Sequence, residues 1–155
     1  KYVNKKKVDV TNIKINNKIL HQSKLLNYFE KDSEIKNINK ELNDLLKKIK
    51  RDKKYFFSMK DVILVEALKS DGIKVSEKYK NLYKVDGSEM PSDIQTFIDN
   101  EEVGLAMLRL VQVIGQDELK NIDPETMYFI INTLNQLNID PIRNQMILKV
   151  LPLKN

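Results

Sequence analysis

Two pairs of adjacent carboxylates are the residues of this sequence that could perform acid–base chemistry or bind a divalent cation. They are Glu101-Glu102 and Asp117-Glu118. Carboxylate-based hydrolysis needs two acids with separated pKa values in one cleft, and divalent cations need several carboxylate oxygens. The first pair opens a predicted helix, where the helix dipole favours negative charge without any catalysis. We therefore predict no catalytic and no metal-binding residues, and a carboxylate hydrolase is only the third alternative.

The remaining residue types exclude several classes of site. His21 is the only histidine and the sequence has no cysteine, which excludes histidine metal clusters, thiolate chemistry and disulfides. The sequence contains no glycine-rich phosphate loop, no HExxH pattern and no EF-hand loop. No apolar run approaches the ~20 residues that cross a bilayer. We predict no cofactor and no transmembrane segment, while the compartment stays open between cytoplasmic and exported.

A basic tract in the first third of the chain is the second candidate site. Residues 1–54 carry 16 Lys and Arg against 7 Asp and Glu, whereas residues 55–155 carry 11 against 15. Positive charge next to Tyr55 suits phosphate contacts with base stacking, and it suits an anionic membrane surface equally. A solvated lysine-rich face is the simpler interpretation. The anion-binding alternative comprises Lys47, Lys48, Lys50, Arg51, Lys53 and Lys54.

Two arginines stand out in the less basic part of the chain. Arg109 and Arg143 are the only arginines after residue 54. Arg109 interrupts an apolar helix, and we predict that it forms a structural ion pair with a carboxylate such as Asp117 or Glu118.

The elements that position these residues are predicted to be helices with clear start and stop signals. Asp123-Pro124 and Asp140-Pro141 each place an N-cap carboxylate before a proline at the first helical position. Ser58 with Asp61, and Ser92 with Gln95, resemble capping boxes. Gly72, Gly115 and Asn138 stand where a helix ends through a left-handed residue. These signals predict an all-α fold.

The N-terminal region is predicted to be an extended basic arm over 1–15 and a charged helical hairpin over 16–57. Its second helix carries apolar residues alternating three and four apart, which is the spacing of a helix–helix seam. Two heptads are too few for an independent coiled coil, so the seam must meet the first helix or a second chain. The seam, which is also the predicted partner-binding site, comprises Ile35, Ile38, Leu42, Leu45 and Ile49.

Residues 58–155 are predicted to form a body of stacked helices. Within it, 62–73 aligns with 128–139, and both segments are apolar helices leaving through Gly72 or Asn138 into isoleucine. Helical units that bury each other's faces build solenoid-like arrays.

The helix ending in Gly or Asn plus Ile, followed by Asp-Pro, resembles helical-repeat regions of the tetratricopeptide-like kind. It also resembles helical tails of uncharacterised exported bacterial proteins. The resemblance covers about 59–75 and 101–152, and it implies a protein-binding scaffold with no catalytic residues to carry over.

The sequence therefore predicts a non-enzymatic protein-interaction or scaffold domain that binds a protein partner through the seam or an inter-helix groove. A homodimer through the 35–49 seam is one form of this prediction. The alternative is electrostatic binding of nucleic acid or an anionic membrane surface through the basic N-terminal region.

Overall fold

The computed structural model describes residues 17–30, 34–52, 57–82 and 90–151, with side chains from Gln22 onward. The fold is all-α, and no β-strand occurs in these ranges. Two short 3₁₀ turns, Glu77–Leu82 and Leu119–Asn121, connect helices. The helices are α1 Asn17–Glu30, α2 Ile35–Arg51, α3 Met59–Ser70, α4 Ser92–Asp99, α5 Val103–Ile114, α6 Pro124–Gln136 and α7 Asp140–Val150. The predicted arm over 1–15 lies outside the described residues.

Most of the predicted start and stop signals have the expected geometry. The Ser58 side chain accepts a hydrogen bond from the backbone N–H of Asp61, and the Asp61 carboxylate accepts one from the backbone N–H of Ser58, which completes a capping box. Asp123 caps α6 by accepting from the N–H of Thr126 at 2.8 Å. Gly72, Gly115 and Asn138 all have positive φ, as predicted. These helices therefore begin and end where their capping residues dictate.

Two predicted caps are wrong. No side-chain cap bond precedes α4, because Ser92 is already helical and Pro91 occupies the cap position. Asp140 likewise lies inside the first turn of α7 and caps nothing, since Ile139 precedes the helix. Its carboxylate lies 3.2 Å from the Arg143 guanidinium one turn later. A carboxylate in the first turn still interacts favourably with the helix dipole, so Asp-Pro still starts the helix.

The larger hydrophobic core joins α1, α2, α3, α6 and α7. α3 is central in this core, because every residue from Asp61 to Leu68 except Glu66 is buried. The apolar face of α2 and Leu25 and Phe29 of α1 pack into the same core. The first two helices are thus fixed to the rest of the molecule by shared burial.

The two helices that the internal alignment pairs, α3 and α6, pack against each other. Both end in the same backbone motif. The N–H of Ile73 bonds the carbonyl of Leu68 at 3.1 Å, and that of Ile139 bonds the carbonyl of Leu134 at 3.0 Å. In each case a left-handed residue precedes the isoleucine, which then packs back on the helix it has left.

A smaller core joins α4, α5 and α6. It comprises Ile94, Leu110, Phe129, Ile130 and Leu134. Because Met127 and Ile131 of α6 face the larger core, α6 is the helix that belongs to both. The contacts of α5 in the described residues are chiefly with α4, and this places α5 at the periphery of the molecule.

Candidate functional site

The predicted partner-binding seam of α2 is divided between core and surface. Ile38, Leu42, Leu45 and Ile49 are buried in the larger core. Ile35 is 49% exposed at the first turn of α2. Since four of the five residues are covered by this chain's own helices, the seam offers little accessible apolar surface to a partner in this structure. Binding through the seam stays a prediction that would require α2 to separate from the core.

The basic tract lies at the C-terminal end of α2, with its described side chains in solvent. Lys47, Lys48, Lys50 and Arg51 are exposed. Lys53 and Lys54, together with Tyr55, lie outside the described residues. Lys50 donates to the backbone carbonyl of Lys78 at 3.2 Å and approaches the ring of Tyr79 at 5.9 Å. Basic residues in a last helical turn also stabilise the helix through its dipole.

Arg143 is the charged residue that the structure buries most deeply, with no exposed surface. Its Nη1 and Nη2 donate to the two oxygens of Asp71 at 2.8 and 2.9 Å, the bidentate geometry that is strongest for this pair. Nη1 also donates to Asn135 at 3.2 Å. Nε and Nη2 donate to Asn144 at 3.0 and 2.8 Å. The ring of Phe29 lies 5.7 Å from the guanidinium carbon.

This network joins three helices at one end of the molecule. Asp71 is the C-cap residue of α3, Asn135 belongs to the last turn of α6, and Arg143 itself belongs to α7. A cation is favoured at helix C-termini, where the backbone dipoles leave partial negative charge. The arginine therefore joins α7 to residues at the C-terminal ends of α3 and α6 through the side chains of Asp71 and Asn135.

An open cleft of about 530 Å³ lies over this network. Its lining includes Tyr28, Glu30, Asp71, Asp140 and Arg143. Burial raises the pKa of Tyr28, and together with the negative charge of Asp71 and its hydrogen bond it brings this pKa to about 12. Tyr28 is therefore a neutral phenol at physiological pH. It is suited to hydrogen bonding, not to acting as a base.

The cleft holds Arg143 against the carboxylates of Asp71 and Asp140. The side-chain nitrogens of Arg143 all donate within the protein, and both oxygens of Asp71 accept from it. Within the described ranges, no three His, Asp or Glu side chains are grouped closely enough to hold a metal ion. The arrangement is that of a structural ion pair, the role that the sequence predicted for Arg109 and not for Arg143.

The partner predicted for Arg109 is wrong. Arg109 Nε donates to Asp93 of α4 at 2.8 Å, and not to Asp117 or Glu118. This hydrogen bond lowers the pKa of Asp93 below its ordinary value. Both side chains are more than two-fifths exposed, so the pair lies at the surface and joins α4 to α5. Asp117 and Glu118 follow α5 in exposed positions, where Glu118 pairs with Lys120.

The outer face of α5 is apolar and exposed, which the sequence did not indicate. Leu108 and Val111 are each 62% exposed, Leu105 is 46% exposed and Val103 is 43% exposed. The opposite face of the same helix buries Ala106 and Leu110. Val103, the first residue of the helix, lies on the side of Leu110, seven residues further on. We name the other three exposed side chains, Leu105, Leu108 and Val111, the α5 face.

Both adjacent carboxylate pairs flank the α5 face. Glu101 occupies the left-handed region at φ 60°, in the junction between α4 and α5, and Glu102 precedes the helix without making a side-chain cap bond. Asp117 and Glu118 follow its end. Neither pair lines the Arg143 cleft. The side chain of His21 lies outside the described residues.

Comparison with known proteins finds no match to this chain among family models, curated proteins or solved structures. No helix within the described ranges has both the length and the apolar character needed to cross a membrane.

Proposed function

We propose that this protein is a non-enzymatic protein-interaction domain. The observation that carries the proposal is the α5 face, where three large apolar side chains are between 46 and 62% exposed. Exposed apolar surface on one helix face is costly in water, and contiguous patches of this kind commonly mark interaction sites. The inward face of α5 already packs against the fold through Ala106 and Leu110, so the two outer leucines and Val111 add nothing to the core.

The architecture proposed for this role is an N-terminal helical hairpin leading into a stacked, solenoid-like body. Contact between α1 and α2 supports the hairpin, and contact between α3 and α6 supports stacking of related helical units. In arrays of this kind the terminal or peripheral helices have faces that no neighbouring unit covers. The peripheral position of α5 fits that pattern.

A scaffold role is also favoured by the hydrogen bonding of the charged and polar side chains around Arg143. The Arg143 cleft pairs its cation with Asp71 and surrounds it with amide acceptors from Asn135 and Asn144. Acid–base catalysis would instead require a carboxyl group poised to exchange a proton with a substrate. The buried network thus supports a stabilising function, and the recognition function falls to the surface.

Site-specific photocrosslinking tests the proposal. A benzoylphenylalanine introduced at Leu108 is expected to crosslink a discrete protein in a lysate of the producing cells. The same group introduced at Glu125, an exposed position on α6, is the matched control and is expected to give no such product. No product at either position, or the same products at both, would contradict an interaction role for α5.

A second candidate function is electrostatic binding of nucleic acid or anionic lipid through the basic N-terminal region. It is favoured by the exposure of Lys47, Lys48, Lys50 and Arg51 along one end of α2. Binding of an oligonucleotide or of anionic vesicles would weaken steeply as salt rises, because counterions are released from the phosphates. Replacing Lys47 and Arg51 by glutamine should reduce that salt dependence, while Lys60→Gln, at an exposed position on α3, should not. Salt-independent binding, or none, would rule this function out.

A further inference from the structure

We propose that the α5 face binds an amphipathic helix of another protein, and that this helix carries basic residues around its apolar stripe. The inference rests on the proposed interaction function and specifies the chemistry of the partner. Three observations bear on it: the spacing of the exposed side chains, the glycine among them, and the charges at the two ends of the helix.

The spacing of the exposed side chains matches a helix–helix contact. Leu105, Leu108 and Val111 recur every three residues, so they lie along one side of a helix with 3.6 residues per turn. The twelve residues of α5 span about 18 Å at 1.5 Å per residue, which is room for about three turns of a second helix. A narrow apolar stripe of this length is the surface that helix-in-groove and helix-on-helix recognition use.

Gly104 shares the side of α5 that carries Leu108, one turn away. Glycine is among the least favourable residues in a helix. A Cβ built at Gly104 would meet no other atom within 4 Å, and Gly104 is not among the residues of positive φ. The described fold therefore gives no packing or conformational reason for glycine at this position. A missing side chain does allow a second helix backbone to approach α5 closely.

The charged residues at the two ends of α5 indicate the charge of the partner helix. Arg109, the one charged residue within α5, is paired with Asp93 towards α4. Glu101 and Glu102 lie at one end of the α5 face and Asp117 lies at the other, and none of the three pairs with a described basic side chain. Apolar surface with anionic ends is complementary to an apolar stripe bordered by lysine or arginine.

The same charges disfavour the other occupants. Two copies of α5 packed antiparallel would bring Glu101 and Glu102 of one copy against Asp117 of the other. Parallel packing would bring like carboxylates together at each end, and like charges across an interface cost free energy. Anionic lipid and nucleic acid would meet the same repulsion. A basic helix from a different protein is the occupant that both the shape and the charge favour.

Fluorescence anisotropy with two designed peptides tests the inference on the full chain. Each peptide has about 18 residues, with leucine at helical spacing along one face. All the remaining positions are lysine in the first peptide and glutamate in the second. The lysine peptide is expected to bind, and the glutamate peptide is not. A scrambled lysine peptide of the same composition, which has no apolar stripe, should bind at least tenfold more weakly.

Substitutions in the full chain then show where the lysine peptide binds. Leu108→Ser and Val111→Ser should each weaken binding of the lysine peptide about tenfold, a loss typical of a central apolar contact. Ile35→Ser, which removes a comparably exposed apolar residue on α2, should leave it unchanged. Replacing Glu101 and Asp117 by glutamine and asparagine should weaken binding and flatten its salt dependence. Unchanged thermal unfolding of each variant confirms that the fold is retained.

Several outcomes would overturn the inference. The first is equal binding of the lysine and glutamate peptides. The second is peptide binding that is abolished by Ile35→Ser and not by Leu108→Ser. The third is self-association of the protein in sedimentation equilibrium that Leu108→Ser removes. A protein crosslinked at Leu108 alongside peptides that do not bind would remove the basic-helix inference and leave the interaction function standing. Failure of both experiments would remove both.

Discussion

The Arg143 network and the α5 face invert the usual distribution of polar and apolar groups. Arg143 is a cation with no exposed surface, whereas Leu108 and Val111 are apolar residues with 62% of their surface exposed. The network ties α3, α6 and α7 together through side-chain hydrogen bonds to Asp71 and Asn135. Among the described residues, the α5 face makes no comparable connection. The comparison sets a buried charge that joins three helices against the exposed apolar surface for which we propose a role in recognition.

The largest expected effect is a difference in the free energy of unfolding between variants of Arg143 and Arg109, the two arginines that follow residue 54. Arg143→Leu should lower the free energy of unfolding by about 3–5 kcal/mol, because it leaves the Asp71 carboxylate without its partner in a largely buried position. Arg109→Leu breaks an ion pair with a single hydrogen bond at the surface and should leave stability unchanged within the precision of a urea titration. Similar losses for both variants would show that Arg143 is not the structural ion pair inferred here.

A second comparison sets a leucine of the smaller core against one of the α5 face. Leu134→Ala should cost about 2–5 kcal/mol, since Leu134 is 1% exposed and a cavity would remain. Leu108→Ala should change the free energy of unfolding by no more than about 0.5 kcal/mol. Chemical denaturation of the two variants measures both values. A cost at Leu108 close to that at Leu134 would mean that the α5 face is covered in solution.

A smaller effect on stability is expected at high pH from the ionisation of Tyr28, which lines the Arg143 cleft. The raised pKa of Tyr28, about 12 in the folded protein, means that the folded state holds the phenolic proton more tightly than the unfolded state does. The stability contributed by this group is fully present below the unfolded pKa of about 10 and is lost as the pH rises towards 12. Tyr28→Phe should therefore show a shallower decline of stability with pH over that window. Identical slopes in the variant and the parent would contradict the assignment.

The smallest expected effect is an increase in stability, whereas the preceding substitutions lower stability or leave it unchanged. Gly104→Ala should raise the free energy of unfolding by about 0.4–1 kcal/mol, because the new Cβ meets no atom within 4 Å and the unfolded chain loses freedom. Gly72→Ala is the matched control and should be destabilising, since Gly72 has φ 86°. Thermal unfolding of the two variants gives both signs. A destabilising Gly104→Ala would reveal an intramolecular need for glycine and weaken the argument for a closely packed partner.

Much of the fold could be predicted from local signals. Ser58, Asp123 and the left-handed residues Gly72 and Asn138 predicted helix ends, because caps and stops depend on neighbours within a few residues. The apolar period of α2 correctly indicated a buried stripe, although the sequence could not show that this chain's own core would cover it.

The candidate site was harder to predict, because it depends on which residues meet in space. Arg143 and Asp71 are 72 positions apart, and nothing local links them. Arg109 pairs with Asp93 on the preceding helix and not with the carboxylates that follow it. Nothing in the local sequence of α5 marks one side as exposed, and the peripheral position of the helix leaves that side uncovered by the described residues.

The most direct test of the account is to map, by amide chemical-shift perturbation, where the lysine-and-leucine peptide binds on the full chain. We expect the perturbed amides to cluster in residues 101–118, with those around Arg143 and in α2 unchanged. Perturbations centred on the seam of α2 or on the Arg143 cleft, or no perturbation at a saturating peptide concentration, would contradict the division between a stabilising buried charge and a recognising α5 face.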